Sequence, residues 1–153
     1  MSNDDLELTR FVENLQQEVI INAEGNQTEE EGGSFREEAF TRLMIEYLTE
    51  AGELEDGYVC YHSARSIKIN GYNIHEDEGR LDLFISIYTQ NPSPTTVRKD
   101  AVESAFKQLI NFLSKVYKGY HQSIEEASLI FDMAQLIHSQ RSQFSQGYFI
   151  LIE

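Results

Sequence analysis

SIKINGYNIHEDEGRLDLFISIY, residues 66–88, is the stretch of sequence that decides the fold. From Arg80 onward its residues alternate between the two faces of a predicted strand. The first face carries Leu81, Leu83, Ile85 and Ile87. The second face carries Asp82, Phe84, Ser86 and Tyr88. Because both faces hold large apolar side chains, we expect a strand that is covered on both sides, with the carboxylate of Asp82 in an unusual interior position.

The residues before this strand contain two turn signals. Glu76–Gly79 suits a chain reversal in which the glycine takes a positive φ, and Asn70-Gly71 is itself a strong hairpin signal. One interpretation is three short strands with turns at both places. The other is two longer strands with a β-bulge at Gly71. We favour the second, because Lys68–His75 then forms one partner for Arg80–Tyr88.

Length and composition predict one domain over residues 1–153. The chain has 153 residues, of which 41% are hydrophobic and 11% aromatic, enough to build a core. Its single cysteine, Cys60, excludes an internal disulfide, and its strand-like surroundings predict a core residue. No signal peptide is apparent, and no apolar run approaches the roughly 20 residues of a membrane span. We therefore expect a cytoplasmic protein with no membrane partner.

The charge of the chain is concentrated in its first third. Residues 1–56 hold 16 acidic and 3 basic side chains, a balance of −13, out of a net charge of −14 for the whole chain. Residues 57–153 hold 10 acidic and 9 basic side chains, a balance of −1. The first part would repel phosphate, whereas the second could carry a local basic surface. This distribution weakens a nucleic-acid role without excluding it.

Two helices are predicted before the strands. The buried face of the first is expected to contain Leu8, Phe11, Leu15 and Val19. Residues 24–33, EGNQTEEEGG, are typical of a mobile acidic loop. Ser34 and Glu37 fit a capping box that opens the second helix, and Gly52 suits its C-terminal end. The buried face of the second helix is expected to contain Phe40, Leu43, Met44, Tyr47, Leu48 and Ala51.

The remaining elements are predicted from similar signals. Tyr58–His62 is the first strand, and two prolines after the central stretch separate it from a third helix. The apolar positions of this helix are Val102, Ala105, Phe106, Leu109, Ile110, Leu113, Val116 and Tyr117. A second capping-box pattern, Ser123–Glu126, predicts the start of a fourth helix. We expect His138–Gly147 to be a polar connection and Tyr148–Ile152 to be a buried final strand.

The predicted order is helix, helix, two or three antiparallel strands, two helices and a final strand. This order indicates an α/β or α+β layered protein in which helices cover a mixed sheet. Because the chain ends directly after an apolar strand, we expect residues 1–153 to be a fragment of a longer protein.

Asp82 is the first candidate site residue. A carboxylate on a central strand can hold Mg²⁺, which takes oxygen ligands and keeps several waters. The competing interpretation is a hydrogen-bonded structural aspartate beside the turn. The four histidines lie too far apart in sequence for a zinc cluster, and only His75 lies close to Asp82.

Glu37 and Glu38 are the second pair of candidates. Glu37 lies three residues before Phe40 on the inward edge of the second helix, where it could reach a strand carboxylate and complete a metal pair. The capping box explains Glu37 without any chemistry, and Glu38 faces more toward solvent. No glycine-rich phosphate loop and no GxSxG elbow is present.

The segments EAGELEDGY (residues 50–58) and INGYNIHEDEGRLDLFIS (residues 69–86) resemble the N-terminal region of the abortive infection phage resistance (AIPR) family. The resemblance implies a bacterial protein that acts in phage defence, in which this chain is the N-terminal part and the C-terminal remainder is its partner. Members of the family are suspected of nuclease activity. The resemblance therefore also implies a restriction-nuclease-like core of the PD-(D/E)-x-K type.

Such a core has a glutamate-bearing helix, three strands, a helix and a further strand, in agreement with the predicted order. The resemblance implies that Glu37 or Glu38 is the helix acid and Asp82 a strand acid, with Mg²⁺ between Asp82 and Glu37. The chain departs from the pattern, because Phe84 stands where a lysine belongs. Ser86-Ile87-Tyr88 likewise has neither acid nor lysine.

Three hypotheses follow. The first is a non-catalytic or degenerate nuclease-like module that packs against, or regulates, a larger C-terminal portion. The second is a Mg²⁺-dependent nuclease with Asp82 and Glu37 or Glu38 as ligands, assisted by Lys68 in place of the missing lysine. The third is a homodimerisation or protein-sensing module that uses the acidic first helix and loop. The missing lysine favours the first over the second.

Overall fold

Four strands form one mixed sheet, covered by helices. The computed structural model describes residues 3–24, 32–88 and 97–152, without the side chains of 22–24, 32–35 and 129. The strands, in their order across the sheet, are Tyr58–Ala64 (β1), Ile67–His75 (β2), Arg80–Ser86 (β3) and Gln146–Ile152 (β4). The helices are Asn3–Glu24 (α1), Gly32–Glu50 (α2), Lys99–Tyr117 (α3) and Leu129–Gln140 (α4). This order confirms the predicted α+β layers.

The sheet is antiparallel except at β4. β2 pairs antiparallel with β1 and β3, whereas β4 pairs parallel with β3 after the crossover through α3 and α4. Gly79 has a φ of 60° and ends a short 3-10 turn between β2 and β3, as its sequence position predicts.

Asn70-Gly71 lies inside β2, which confirms the prediction of two long strands. Val59 pairs with Gly71 and His62 pairs with Ile69, so two residues of β1 lie opposite Asn70 alone. The bulge is therefore beside Gly71, and its extra residue belongs to β1. A Cβ atom at Gly71 would lie only 2.6 Å from the carbonyl oxygen of Tyr58, which explains the glycine.

Strand β3 is buried on both faces, as its alternation predicts. Its first face joins a core formed with α3 and α4, through Leu81, Leu83 and Ile85. Phe84, on the second face, packs with Phe40 of α2 and with the buried side chains Leu15 and Val19 of α1. Truncating a buried leucine in such a core typically costs about 2–5 kcal/mol, so these contacts dominate the stability of the sheet.

The prediction for α1 is only half right. Leu15 and Val19 are buried, but Leu8 is 49% and Phe11 44% exposed. The physical reason is the length of the neighbouring helix. Phe11 packs on Tyr47, one turn before α2 ends at Glu50, so the first turns of α1 extend beyond α2.

The buried face of α2 is rotated relative to the prediction. Thr41 and Ile45 are buried, whereas Tyr47 and Ala51 are exposed, because the helix turns its 41/45 edge toward β3. The helix begins at Gly32, before the predicted Ser34, whose side chain lies outside the described residues. Gly52 has a φ of 79° after the last turn, as predicted.

Two predictions about the helices of the second half of the chain are wrong. In α3 the predicted Ala105, Leu109 and Val116 are buried, but the fourth buried side chain is Phe112, whereas Ile110 is exposed. Helix α4 begins at Leu129, where the hydroxyl of Ser128 accepts a hydrogen bond from the Ile130 amide, and not at Ser123. The local capping pattern fails there because residues 120–123 form a 3-10 turn after Gly119.

The segment 138–147 is not a purely polar connection. Helix α4 includes the first three residues of this segment and ends at Gln140, and Phe144 packs against the core. Strand β4 is exposed over its first four residues and buried only at Ile152, because it is an edge strand of the described sheet. The prediction of a buried final strand is therefore wrong for most of its length.

Residues 25–31 of the predicted acidic loop 24–33, together with Pro92 and Pro94, lie outside the described residues. Glu24 is the last residue of α1 and Gly32 the first of α2, so the predicted loop is too long at both ends. In the part of the chain that the structure describes, no helix is long and apolar enough to cross a membrane.

Candidate functional site

The candidate residues other than Glu38 fall into two clusters at opposite ends of β3. Asp82 and Ser86 share the face of β3 that Phe84 turns toward α2, but they are four residues apart, or about 13 Å at the rise of a strand. Ser86 lies beside the N-terminal half of α2, where Glu37 is. The structure thus does not bring Asp82 and Glu37 together, because Asp82 lies near the start of β3, whereas Glu37 contacts Lys68 beside the opposite end of that strand.

The first cluster, the Asp82 network, consists of Asp82, Arg80, His75, Glu55 and Glu78. Asp82 is only 4% exposed. The Arg80 guanidinium donates to both of its carboxylate oxygens, from Nε to Oδ1 at 3.1 Å and from Nη2 to Oδ2 at 3.3 Å. The Asp82 carboxylate is therefore satisfied by a cation on its own strand.

His75 connects this pair to the loop before β1. Its Nε2 lies 2.8 Å from Asp82 Oδ2 and its Nδ1 lies 3.1 Å from Glu55 Oε2. Arg80 also donates from Nη1 to Glu78 Oε2 at 3.0 Å. The network thus holds the β2–β3 turn and the loop around Glu55 against the end of the sheet.

A metal ion could use part of this network only by displacing the arginine. Among the described residues, Glu55, His75 and Glu78 each place one ligand atom within 4.8 Å of the others. The guanidinium of Arg80 already contacts Glu78 and lies 3.5 Å from Glu55. A divalent cation would compete with this positive charge for the same oxygens, so the donor set favours an ion-pair network.

The second cluster, the Glu37 cleft, consists of Glu37, Thr41, Lys68, Asn70 and Ser86. The carboxylate of Glu37 forms an ion pair with the Lys68 ammonium, and both side chains are largely buried, at 13% and 19% exposed. The sequence places both residues among the candidates but does not indicate that they neutralise each other. Helix α2 begins at Gly32, so the predicted capping box of Ser34 and Glu37 does not open it, and the Glu37 carboxylate accepts a hydrogen bond from Lys68.

The cleft forms where β2 and β3 separate. Their pairing ends at Gly71 and Phe84, and beyond it the Ser86 amide donates to the side-chain oxygen of Asn70 at 2.9 Å. The hydroxyls of Ser86 and Thr41 lie 2.6 Å apart, and Thr41 donates to the Glu37 carbonyl at 2.9 Å. These contacts tie the end of β3 and the middle of β2 to α2.

A cavity of about 270 Å³ opens beside this cluster, between α2 and α3. Its lining includes Glu37, Lys68, Ser86, Ser104 and Gln108. The side-chain nitrogen of Asn70 is buried and has no hydrogen-bond partner in the described structure. The cleft is therefore a polar recess with one carboxylate, one ammonium and several neutral donors and acceptors.

Glu38 belongs to neither cluster. Its negative charge acts on Cys60 of β1, where burial first and this charge second raise the pKa of the thiol to about 11. Cys60 packs against the core, so at neutral pH it is an unreactive thiol, in agreement with its prediction as a core residue.

Three residues of the cleft were missed as site residues by the sequence patterns. Asn70 carries a turn signal, Thr41 is an ordinary helix residue, and Ser86 interrupts an apolar strand. Asn70 in the middle of β2 and Ser86 at the end of β3 are polar residues next to apolar strand positions, and this pattern is a sequence signal that could have indicated the cleft.

One family model matches the chain. It is described as the abortive infection phage resistance protein N-terminal domain and covers residues 40–152. The matched region includes the whole sheet, α3 and α4, as well as Lys68, Asn70 and Asp82. No curated protein and no solved structure gives a significant match.

Proposed function

Since this chain belongs to the family of abortive infection phage resistance N-terminal domains, we propose that it is a non-catalytic, degenerate nuclease-like module of a phage-defence protein. In this role it packs against, or regulates, a larger C-terminal portion that carries the activity. The order of one glutamate-bearing helix, three strands, helices and a parallel fourth strand supports the nuclease-like comparison.

The observation that carries the proposal is the donor set of the Glu37 cleft. A nuclease of this kind needs two acids and a lysine at the point where two central strands meet the helix glutamate. The cleft has one acid, Glu37, and its charge is matched by Lys68. The neighbouring strand positions hold an amide, Asn70, and a hydroxyl, Ser86, which are weak ligands for Mg²⁺ compared with carboxylates.

The Mg²⁺-dependent nuclease remains the alternative function. It requires Asp82 and Glu37 or Glu38 to share a metal ion, with Lys68 near the reacting phosphate. The separation along β3 and the Arg80 ion pair of Asp82 both argue against it. The Asp82 carboxylate would have to exchange a guanidinium for a metal, and the two acids would have to approach each other.

Metal-dependent melting separates the two functions. We expect Mg²⁺ or Mn²⁺ at about 5 mM to leave the Tm of the wild type and of Asp82→Asn unchanged. Under the same conditions we expect no cleavage of plasmid DNA or RNA. A Tm increase in the wild type that Asp82→Asn abolishes, together with cleavage of plasmid DNA or RNA, would support the nuclease alternative. Glu37→Gln serves as the second variant, since it tests the other cluster.

A gain-of-binding variant tests degeneracy directly. Asn70→Asp keeps the shape of the side chain and its acceptor for the Ser86 amide, but it adds a second carboxylate to the cleft. We expect this variant to acquire a Mg²⁺-dependent rise in Tm that Glu37→Gln removes. If Asn70→Asp gains no response to Mg²⁺, the cleft is not the counterpart of a nuclease site.

A further inference from the structure

An exposed apolar patch lies where α1 extends beyond α2. It consists of Leu8 and Phe11 on α1 and Tyr47 on α2, and all three side chains are more than one third exposed. The rings of Phe11 and Tyr47 pack edge to face with centroids 5.9 Å apart, and Leu8 lies one helical turn before Phe11. We propose that this α1 patch binds a basic amphipathic helix of a partner protein.

The patch continues the apolar stripe that holds α1 in the molecule. Leu15 and Val19 are the buried half of the stripe, and Leu8 and Phe11 follow the same spacing toward the N-terminus. The buried half is covered by α2, whereas the exposed half contacts α2 at Tyr47 and leaves Leu8 49% and Phe11 44% exposed. A partner helix can lie along an apolar stripe of this kind and contact it through its own apolar side chains at positions i, i+3 and i+7.

Negative charge surrounds the patch. The Tyr47 hydroxyl donates to Glu18 Oε2 at 3.2 Å. Partial burial and neighbouring carboxylates raise the pKa of Tyr47 above its ordinary value; these carboxylates belong to Glu18, Glu50 and Glu46. The first turn of α1 adds Asp4 and Asp5. An approaching ligand therefore meets an apolar centre with an acidic rim.

The negative charge around the α1 patch favours a basic partner. Lysine and arginine can lay their aliphatic stems over exposed rings while their charged ends reach carboxylates at the rim. Nucleic acid and anionic membrane would be repelled by the same rim. A second copy of this chain would bring two acidic rims together, so self-association through the patch is disfavoured relative to a basic partner.

A pair of synthetic peptides tests the inference. The probe is a peptide of about 15 leucines and lysines arranged as an amphipathic helix, and its control has the same composition in scrambled order. We expect calorimetric titration to show tighter binding of the amphipathic peptide. Phe11→Ala should weaken this binding roughly tenfold or more, because aromatic anchors dominate such interfaces.

A matched variant controls for the loss of an exposed apolar side chain. Ile110→Ala removes a residue of α3 that is 49% exposed, as Leu8 is, but lies outside the patch, and it should bind the probe like the wild type. Leu8→Ala provides a second patch variant, and thermal melts verify that each variant is folded.

Three results would overturn the inference. Equal affinity for the two peptides would mean that only net charge is recognised. Unchanged affinity in Phe11→Ala and Leu8→Ala would remove the patch from the interface. A wild-type dimer in light scattering that Phe11→Ala converts to a monomer would make a second copy the occupant. None of these results depends on Mg²⁺ or on the Glu37 cleft, so the proposed function can fail separately.

Discussion

Replacing Gly71 with alanine should destabilise the protein by forcing β1 away from β2. The added Cβ would lie 2.6 Å from the Tyr58 carbonyl oxygen and 3.3 Å from a ring carbon of Phe84. The carbonyl belongs to a paired strand and cannot rotate away as a side chain could. Inserting a methyl group into a packed interior typically costs about 1–3 kcal/mol, which corresponds to a Tm decrease of roughly 3–10 °C for a domain of this size.

The control for this prediction is Gly147→Ala in β4. The nearest atom to a Cβ at Gly147 is the Leu81 carbonyl oxygen at 3.8 Å, an ordinary contact, so this variant should melt within about 2 °C of the wild type. Chemical denaturation gives the free energy of unfolding of both variants. If Gly71→Ala were as stable as Gly147→Ala, the close approach of β1 and β2 at the bulge would be refuted.

Three further predictions concern the cleft and the cysteine. In a double-mutant cycle with Glu37→Ala and Lys68→Ala, the loss of unfolding free energy in the double variant should be smaller than the sum of the two single losses by about 1 kcal/mol, measured by urea denaturation. Additive losses would mean that the ion pair contributes nothing. Because the pKa of Cys60 is raised to about 11, alkylation by iodoacetamide in the folded protein should increase about tenfold per pH unit between pH 8 and 10, and it should be much slower than in denaturant. Equal alkylation rates in the folded and denatured states would contradict the raised pKa of Cys60. The same raised pKa contributes to the stability of the fold; this contribution is fully present below pH 9 and is lost as the pH rises toward 11.

The central sheet could be predicted from sequence because its signals are local. The alternation after Arg80, the turn ending at Gly79 and the glycine after α2 each report on a few neighbouring residues. The start of α4 could not be predicted in the same way. Ser123 and Ser128 are both acceptable caps, and the 3-10 turn that follows Gly119 decides between them.

The candidate site was harder to predict because it depends on distances between elements. Sequence identifies Asp82, Glu37 and Lys68 as unusual charged residues near apolar elements. It does not reveal that α2 runs along β3 so that Glu37 reaches Lys68 while Asp82 meets Arg80 at the other end. The exposure of Phe11 has a similar origin, since it depends on where α2 ends relative to α1.

The irregularity at Asn70 also fixes the alignment of β2. Ile69 and Tyr72 pack in the same core although they are three residues apart, whereas strict alternation would send one of them to the opposite side. A sliding movement of the whole strand by one residue would withdraw the apolar side chains of both halves from that core. The irregularity therefore makes the burial of both halves of β2 depend on a single register.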